Sequence, residues 1–199
     1  MSTWEKNMET KERIRARLSI KRDALEPEVY RQAEEAIALQ LKQMEVIKER
    51  GYIYGYYPLG KELSLLKFLD WALEAGKRVA LPKVEGSEMD FYEITSLQEV
   101  KKGSFGVMEP VTGQKVNWEE AVCLTPGVGF DRQGNRIGHG AGYYDRYFEI
   151  HPRLIRMGIA YEFQVVKEIP AEETDIGMEY LITPGERIIS YREREGSSA

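Results

Sequence analysis

Residues 121–150 read AVCLTPGVGFDRQGNRIGHGAGYYDRYFEI, and this stretch decides the fold. An apolar strand at residues 121–124 runs into a loop that holds six of the chain's 18 glycines, and residues 142–150 predict a helix. Glycine gives up side-chain packing and costs backbone entropy, so the cluster indicates a backbone that comes close to another group. Phosphate is the first candidate, because bare N–H groups that lead into a helix N-terminus bind anions.

Helical and strand patterns alternate along the rest of the chain. Residues 10–49 predict two helices, with Pro27 in the first turn of the second and Gly51 at its end. Residues 63–75 predict a third helix, capped by Gly76. Further strands are predicted at residues 52–57, 78–82, 89–94, 156–161 and 180–183. The alternation predicts an α/β fold with a largely parallel sheet, and it places the glycine loop at the carboxyl end of its strand, where such sheets bind ligands.

Composition predicts one globular domain. With 199 residues, 42% hydrophobic and 31% charged, the chain suits a single core, which we assign to residues 1–192, and we expect a disordered tail at 193–199. The net charge of −5 argues against a general binder of nucleic acid or of anionic membranes, so an anionic ligand requires a local basic cluster.

The cysteine content and the N-terminus predict a cytoplasmic protein. Cys123 is the one cysteine, so an internal disulfide is excluded. It lies in an apolar run, which favours a buried thiol over a nucleophile. One cysteine and two histidines argue against a Cys/His zinc site. No apolar signal core follows the first residue, and no segment reaches about 18 continuous apolar residues.

The glycine spacing does not match the common nucleotide motifs. Tyr143 stands where a dinucleotide fingerprint would place its third glycine, and Asn135 and Arg136 stand where a P-loop would place Lys and Ser/Thr. On pattern alone, a tight strand-to-helix connection stays open. The charged neighbours favour a ligand site. Asp145 is either a carboxylate favoured by the helix dipole or a Mg²⁺ ligand, and Asp175 is either a second Mg²⁺ ligand or an exposed loop acid. Arg136 lies among glycines, where a guanidinium has little local packing role.

The first helix carries Lys11, Arg15 and Arg22 along one face. They form either a solvated basic face or a set of cations that leans over the sheet edge toward a polyphosphate. His139 suits a lining residue better than a general base, and the tyrosines at 56–57 suit either ring stacking or core filling.

Taken together, these residues resemble the 5-formyltetrahydrofolate cyclo-ligase (methenyltetrahydrofolate synthetase) family. The anchor is PGVGFD at residues 126–131, followed by GNRIGHGAGYYDR at residues 134–146. Supporting matches, which extend over almost the whole chain, are Lys11 and Arg15, Tyr57 and Glu62, Leu81-Pro82-Lys83, Phe105-Gly106-Val107 with Glu109-Pro110, Gln164, and Ile169-Pro170 with Asp175.

The resemblance implies a three-layer Rossmann-like fold, with a mostly parallel central sheet flanked by helices. It also implies the ATP- and Mg²⁺-dependent closure of 5-formyltetrahydrofolate to 5,10-methenyltetrahydrofolate, with release of ADP and phosphate. The residues it assigns to ATP are Lys11, Arg15, Arg136, Ile137, Gly138, His139, Gly140, Ala141, Gly142, Tyr143 and Tyr144. Those it assigns to the folate are Tyr57, Glu62, His139, Gly140, Ala141, Gly142 and Tyr143. Those it assigns to catalysis are Arg136, Tyr143 and Asp145, and those it assigns to Mg²⁺ are Asp145 and Asp175.

Several positions depart from the family pattern. Ser64 and Leu65 follow Glu62 where an acidic or polar residue and Thr are usual, Ala141 replaces Gly or Lys, and His139 stands where Arg or another aromatic residue is common. These changes bear on contacts to folate and phosphate and leave the class unchanged.

We expect a monomer with ATP and 5-formyltetrahydrofolate as its small-molecule partners, and without nucleic acid or membrane partners. Two rival functions stay open from the sequence, because the fold alone does not separate them. One is a phosphosugar isomerase or CoA-transferase-like enzyme on a related scaffold. The other is a nucleotide-responsive binding protein.

Overall fold

Helices and strands alternate along the chain, as the sequence pattern predicts. The computed structural model describes residues 9–103, 106–172 and 174–189, so the predicted tail at 193–199 and the domain boundary at 192 lie outside the described residues. The helices are α1 (Lys11–Asp23), α2 (Pro27–Lys42), α3 (Glu45–Glu49), α4 (Leu66–Glu74) and α5 (Tyr143–Ile150), with a 3-10 helix at Glu162–Gln164. The strands are β1 (Tyr52–Tyr54), β2 (Arg78–Glu85), β3 (Glu88–Ile94), β4 (Val100–Lys102), β5 (Met108–Pro110), β6 (Lys115–Val116), β7 (Val122–Pro126), β8 (Gly129–Asp131), β9 (Arg136–Ile137), β10 (Ile155–Ile159), β11 (Val165–Val166), β12 (Tyr180–Ile182) and β13 (Arg187–Ile189). None of the helices in the described ranges has both the length and the apolar character needed to cross a bilayer.

The central sheet has eight strands, in the order β13-β12-β10-β7-β1-β2-β3-β6. The five strands from β12 to β2 are parallel, while the pairs β12–β13 at one edge and β2–β3 and β3–β6 at the other are antiparallel. The predicted α/β fold with a mostly parallel sheet is confirmed. From β1 the chain adds β2 on one side and later returns to add β7 on the other, so the strand order reverses between β1 and β7. Open α/β sheets bind ligands at the carboxyl ends of the strands at such a reversal.

Both faces of the sheet are buried, because helices cover each of them. Successive residues of a strand point to opposite faces and so pack in opposite layers. Ile53 of β1 packs in the layer of α2, α3 and α4, whereas its neighbour Tyr54 packs in the layer of α5. Buried side chains that the helices contribute include Ile37, Leu41, Ile47, Phe68 and Leu69 on the first face and Tyr147 and Phe148 on the second. This two-sided burial explains why the parallel strands are mostly apolar.

Several predicted boundaries were wrong. The strand predicted at 52–57 ends at Tyr54, and the helix predicted from residue 63 begins at Leu66, because residues 55–65 form a loop at the carboxyl edge of the sheet. The second helix stops at Lys42 and α3 follows after a break, so one predicted helix is two. The C-terminal cap at Gly76 is confirmed: its φ is +77°, and its N–H donates to the Leu73 carbonyl at 3.0 Å.

Cys123 lies in β7 and is fully buried, as predicted. Burial raises the pKa of its thiol to about 12, so the nucleophilic thiolate is scarce at neutral pH and is out of contact with solvent. We therefore expect Ellman's reagent to label less than about 0.1 thiol per folded chain and one per chain in guanidinium chloride. Complete labelling of the folded protein within minutes would contradict this packing.

Candidate active site

Two loops meet at the carboxyl edge of the sheet, at the reversal point. We call them the β1 loop (residues 55–65) and the glycine segment (residues 127–142), and they follow β1 and β7. They are joined by a contact of 2.9 Å between His139 Nε2 and Glu62 Oε1. Glu62 also accepts a hydrogen bond on Oε2 from the Leu59 N–H at 2.9 Å. The sequence predicted both residues as substrate contacts, and the structure brings them together.

Part of the glycine segment forms a small sheet with β11, whereas the sequence pattern predicted only a loop. β8 and β9 form an antiparallel hairpin within it, and β11 pairs with β8 in the order β11-β8-β9. Phe130 of β8 explains two glycines. A Cβ added at Gly127 or Gly158 would lie 2.5 or 2.6 Å from its ring, so only glycine leaves room for the ring there.

Asp131 holds the hairpin in shape, and the sequence reasoning did not assign it a role. Its carboxylate is fully buried and accepts four hydrogen bonds. The donors are the N–H groups of Gln133 (3.0 Å), Asn135 (2.9 Å) and Ile169 (2.9 Å) and the Asn135 side-chain amide (2.8 Å). The signal was present in the sequence, because an Asp shortly before Gly and Asn is typical of a turn in which a carboxylate accepts backbone N–H groups.

Gln164 ties the start of the glycine segment to the 3-10 helix. Its Nε2 donates to the Gly127 and Val128 carbonyls, both at 2.9 Å, and its Oε1 accepts from the Tyr161 N–H at 2.9 Å. In the sequence, Gln164 is a match to the family pattern and carries no further signal of this role. Its position explains how a segment rich in glycine is held in one conformation.

Helix α1 lies across the glycine segment. Ile14 and Leu18, four residues apart on one face, pack in a buried cluster with Val128, Ile137 and Ile169. This packing turns the neighbouring basic face toward the carboxyl edge of the sheet. Of the two interpretations of the basic face, a solvated surface or a helix that leans over the sheet edge, the structure favours the second, because Arg15 contacts the Gly138 carbonyl.

The three cations predicted along one face of α1 contact three different parts of the site. Lys11 Nζ lies 2.6 Å from Asp175 Oδ2 and 2.9 Å from Glu172 Oε1, and Arg15 Nε donates to the Gly138 carbonyl at 2.9 Å. Arg22 Nη1 lies 3.9 Å from Glu62 Oε1. Burial by itself lowers the pKa of Lys11, but the two carboxylates outweigh it and the pKa lies above its ordinary value. Lys11 is therefore a cation throughout the neutral range.

Arg136 and Asp145 form a partly buried ion pair at the start of α5. Arg136 Nη2 lies 2.9 Å from Asp145 Oδ2, and the Arg136 side chain is only 6% exposed. Its guanidinium stands over the Tyr144 ring, 5.3 Å from the centroid. Two buried polar atoms here, Arg136 Nε and the Tyr144 hydroxyl, have no hydrogen-bond partner among the described residues. Buried polar atoms without partners are rare, and they occur at sites that take up water or a ligand.

Asp145, one of the two carboxylates predicted to hold Mg²⁺, contacts the backbone next to the other, Asp175. Asp145 Oδ1 accepts from the Ile176 N–H at 3.4 Å, and Ile176 directly follows Asp175. In the described part of the chain, no three His, Cys, Asp or Glu side chains converge into a metal cage. Two carboxylates, each already beside a cation, fit an ion that takes most of its ligands from phosphate oxygens and water, which is how Mg²⁺ is usually bound.

Residues 138–142 form the outer wall of the site. Gly140 and Gly142 have φ values of +103° and +68°, which other residues rarely adopt. Gly142 is the N-cap of α5, and no described side chain caps this helix, so its first N–H groups are left to other acceptors. His139, Gly140 and Ala141 are exposed, as a loop that receives a ligand requires.

The two tyrosines predicted to contact substrate lie at opposite margins of the site. Tyr143 donates from its hydroxyl to the Gly86 carbonyl at 3.1 Å, in the turn between β2 and β3, and its ring lies under the Arg146 guanidinium. Its hydroxyl is thus engaged with that turn rather than with Arg136 or Asp145. Tyr57 is half-buried in the β1 loop, against the layer of α2 and α4.

Comparison with known proteins gives a consistent result. The model of the 5-formyltetrahydrofolate cyclo-ligase family matches residues 7–184. A relative from Caenorhabditis elegans, named as a probable 5-formyltetrahydrofolate cyclo-ligase, is 30% identical over 180 residues, which cover 81% of this chain and 86% of the relative. A 5-formyltetrahydrofolate cyclo-ligase from Mycolicibacterium smegmatis is 30% identical over 178 residues, covering 83% and 90%.

Solved structures agree with the sequence relatives. The NMR structure of Aquifex aeolicus 5,10-methenyltetrahydrofolate synthetase superposes with a TM-score of 0.82 at 34% identity, covering 91% of this chain and 93% of that one. The family match spans most of the chain, and it includes both loops of the site. The chain therefore belongs to the 5-formyltetrahydrofolate cyclo-ligase family.

Proposed function

We propose that the protein catalyses the ATP-dependent cyclisation of 5-formyltetrahydrofolate to 5,10-methenyltetrahydrofolate, with release of ADP and phosphate. Family membership and the names of the relatives support this activity. The observation in the structure that supports it most is the contact between His139 and Glu62. It joins a glycine segment flanked by cations to a loop that carries a buried carboxylate, as a site for two different substrates requires.

The chemistry explains why phosphate and folate must meet. The formyl oxygen is a poor leaving group, so the γ-phosphoryl group of ATP first passes to it. Nitrogen N10 then attacks the formyl carbon, the C–O bond breaks, phosphate leaves with the oxygen, and N10 loses its proton. The protein's part is to position the groups and to neutralise charge, and no side-chain nucleophile is needed.

We assign ATP to the glycine segment and α1. Lys11 and Arg15 supply fixed cations at its edge, and Arg136 supplies a third beside Asp145. Residues 137–144 supply backbone N–H groups and the exposed wall. We assign catalysis to Arg136 and Asp145, and to Tyr143 as the residue that fixes the start of α5.

We assign the folate to the β1 loop and the facing wall, that is, to Tyr57, Glu62 and residues 139–143. A reduced pteridine ring presents adjacent N–H and NH₂ donors, which a carboxylate accepts in pairs. Glu62 is buried and oriented, so it is suited to that task. Tyr57 offers an aromatic face at the margin.

We assign Mg²⁺ to Asp145 and Asp175. When bound, the ion neutralises phosphate charge during transfer. Asp145 and Asp175 would each contribute carboxylate oxygens, while Arg136 and Lys11 hold these carboxylates in place.

A direct assay tests this function. Purified protein with Mg-ATP and 5-formyltetrahydrofolate is expected to generate the near-ultraviolet absorbance of the methenyl product, with ADP formed in equimolar amount. Omitting ATP, or replacing it with a non-hydrolysable analogue, should abolish the signal. If ATP binds but no product forms at high enzyme concentration, the protein is a nucleotide-responsive binding protein. Turnover of a phosphosugar without ATP would identify the isomerase alternative instead.

We also propose a cytoplasmic monomer without nucleic-acid or membrane partners. The acidic net charge and the buried free thiol support this proposal. Sedimentation equilibrium at the mass of one chain, about 22.9 kDa, is the expected result. A concentration-dependent mass near twice that value would contradict it.

A further inference from the structure

Arg22, in the last turn of α1, is a buried arginine that the proposed function leaves without a role. Its side chain is only 10% exposed, and its Nε and Nη1 atoms have no hydrogen-bond partner among the described residues. A buried guanidinium is costly unless a negative group compensates it. Arg17, on the same helix, is half-exposed and pairs with Glu9 near the surface, so burial is not a general property of the helix's arginines.

Two carboxylates lie near Arg22, and they differ in surroundings. Asp23 Oδ1 is 3.7 Å from Nε, but the Asp23 side chain is 69% exposed and solvated. Glu62 Oε1 is 3.9 Å from Nη1, and the Glu62 side chain is only 7% exposed. An ion pair is stronger where water is excluded, so Glu62 is the carboxylate that compensates the buried charge of Arg22.

Glu62 is held from three sides. The Leu59 N–H contacts Oε2, His139 Nε2 contacts Oε1 at 2.9 Å, and Arg22 lies beyond Oε1. His139 carries a charge only when protonated, and it is 48% exposed, so an incoming ligand can displace it. Arg22 is always charged and is buried, so it remains beside the carboxylate. Its Nε and Nη1 are inaccessible to solvent, so an effect of these atoms on substrate passes through Glu62.

We propose that Arg22 is a positioning residue, which keeps the Glu62 carboxylate aimed at the N–H donors of the folate ring. The inference rests on the proposed function, because it takes the folate as the ligand of Glu62. It predicts a specific kinetic pattern: loss of Arg22 weakens folate binding and leaves ATP binding unchanged.

The test compares Arg22→Met with Arg17→Met, a matched change on the exposed face of α1. In Arg22→Met, the KM for 5-formyltetrahydrofolate is expected to rise about 10- to 30-fold, with the KM for ATP within about twofold of wild type. Arg22→Lys keeps the charge and should recover most of the loss. Arg17→Met should leave both KM values unchanged. If Arg22→Met does not fold, Arg22→Gln, which keeps two N–H donors but not the charge, carries the same expectation.

A double-mutant cycle with Glu62→Gln separates positioning from a general structural role. If Arg22 acts through Glu62, adding Arg22→Met to Glu62→Gln raises the folate KM by less than about twofold. Additive effects, an unchanged folate KM in Arg22→Met, or an equal rise for both substrates would overturn the inference. Failure of the proposed function is distinguishable, since wild type would then form no product. Calorimetric titration of wild type and Arg22→Met with 5-formyltetrahydrofolate would decide the role of Arg22 in that case, and equal affinities would exclude it.

Discussion

Asp145→Asn is expected to lower kcat/KM about 10³-fold, because it removes the negative charge that we place beside Mg²⁺ and Arg136 at the transferring phosphoryl group. Asn keeps an oxygen in place of Oδ2, which accepts from Arg136 Nη2 at 2.9 Å, so the fold is retained. We expect the free energy of unfolding to fall by only about 1–2 kcal/mol. Steady-state kinetics over a range of Mg²⁺ concentrations measure the effect, and the variant should need more Mg²⁺ for half-maximal rate.

Glu179→Gln provides a matched control for this prediction. Glu179 pairs with Arg156, and their side chains are 18% and 20% exposed, so the same kind of partly buried ion pair loses its negative charge. This pair lies beside the amino ends of β10 and β12, away from the loops of the site. Its kcat/KM should stay within about twofold of wild type. If Asp145→Asn shows the same small effect and an unchanged Mg²⁺ response, Asp145 is only the partner of Arg136.

The position of the site could be predicted from the sequence, because it follows from strand direction. Residues 121–124 are apolar and the glycines come directly after them, so the glycines had to lie at a carboxyl end. The reversal of strand order between β1 and β7 could not be predicted in this way. It depends on which strands pair across some 70 residues of chain, and the local pattern carries no information about that pairing.

The internal structure of the site was also beyond the pattern. β9 has two residues and β8 has three, too few for an alternation to be recognised, and β11 follows more than 30 residues after β8. The apolar stripe of Ile14 and Leu18 was evident, but the surface that it covers is formed only when β8 and β9 pair. The meeting of Arg22 with Glu62, 40 residues later, depends on that packing.

The tyrosines at 56–57 show why a local pattern extended a strand too far. Tyr56 and Tyr57 favour a strand by composition, but Tyr56 donates from its hydroxyl to the Leu63 carbonyl within the same loop. Burial raises the pKa of the Tyr56 phenol, so it remains a hydrogen-bond donor. A side chain that closes its own loop ends the strand before it, and a Cβ added at Gly55 would lie 2.7 Å from the Leu69 side chain, so glycine is what fits at the start of this loop.

Asp131→Ala is expected to reduce the free energy of unfolding by about 3–5 kcal/mol, the largest effect on stability that we predict. Four donors lose their acceptor together, three of them in buried hydrogen bonds, and the alanine methyl offers nothing in return. Because three of the donors lie in the hairpin turn and the fourth is the Ile169 N–H, the change releases the glycine segment from the chain that follows β11. Urea denaturation followed by tryptophan fluorescence measures the loss.

Asp90→Ala is the matched control, since it removes an acid of the same size from an exposed ion pair with Lys115 and should cost less than about 1 kcal/mol. Asp131→Asn should fall between the two, because its oxygen still accepts from the Gln133 and Asn135 N–H groups while its NH₂ faces the Asn135 amide and the Ile169 N–H. At a temperature where Asp131→Ala is still folded, its KM for ATP should rise as well, because the segment that forms the phosphate wall is no longer fixed. A variant as stable as Asp90→Ala, with unchanged ATP kinetics, would show that Phe130 and Gln164 hold the glycine segment without the carboxylate.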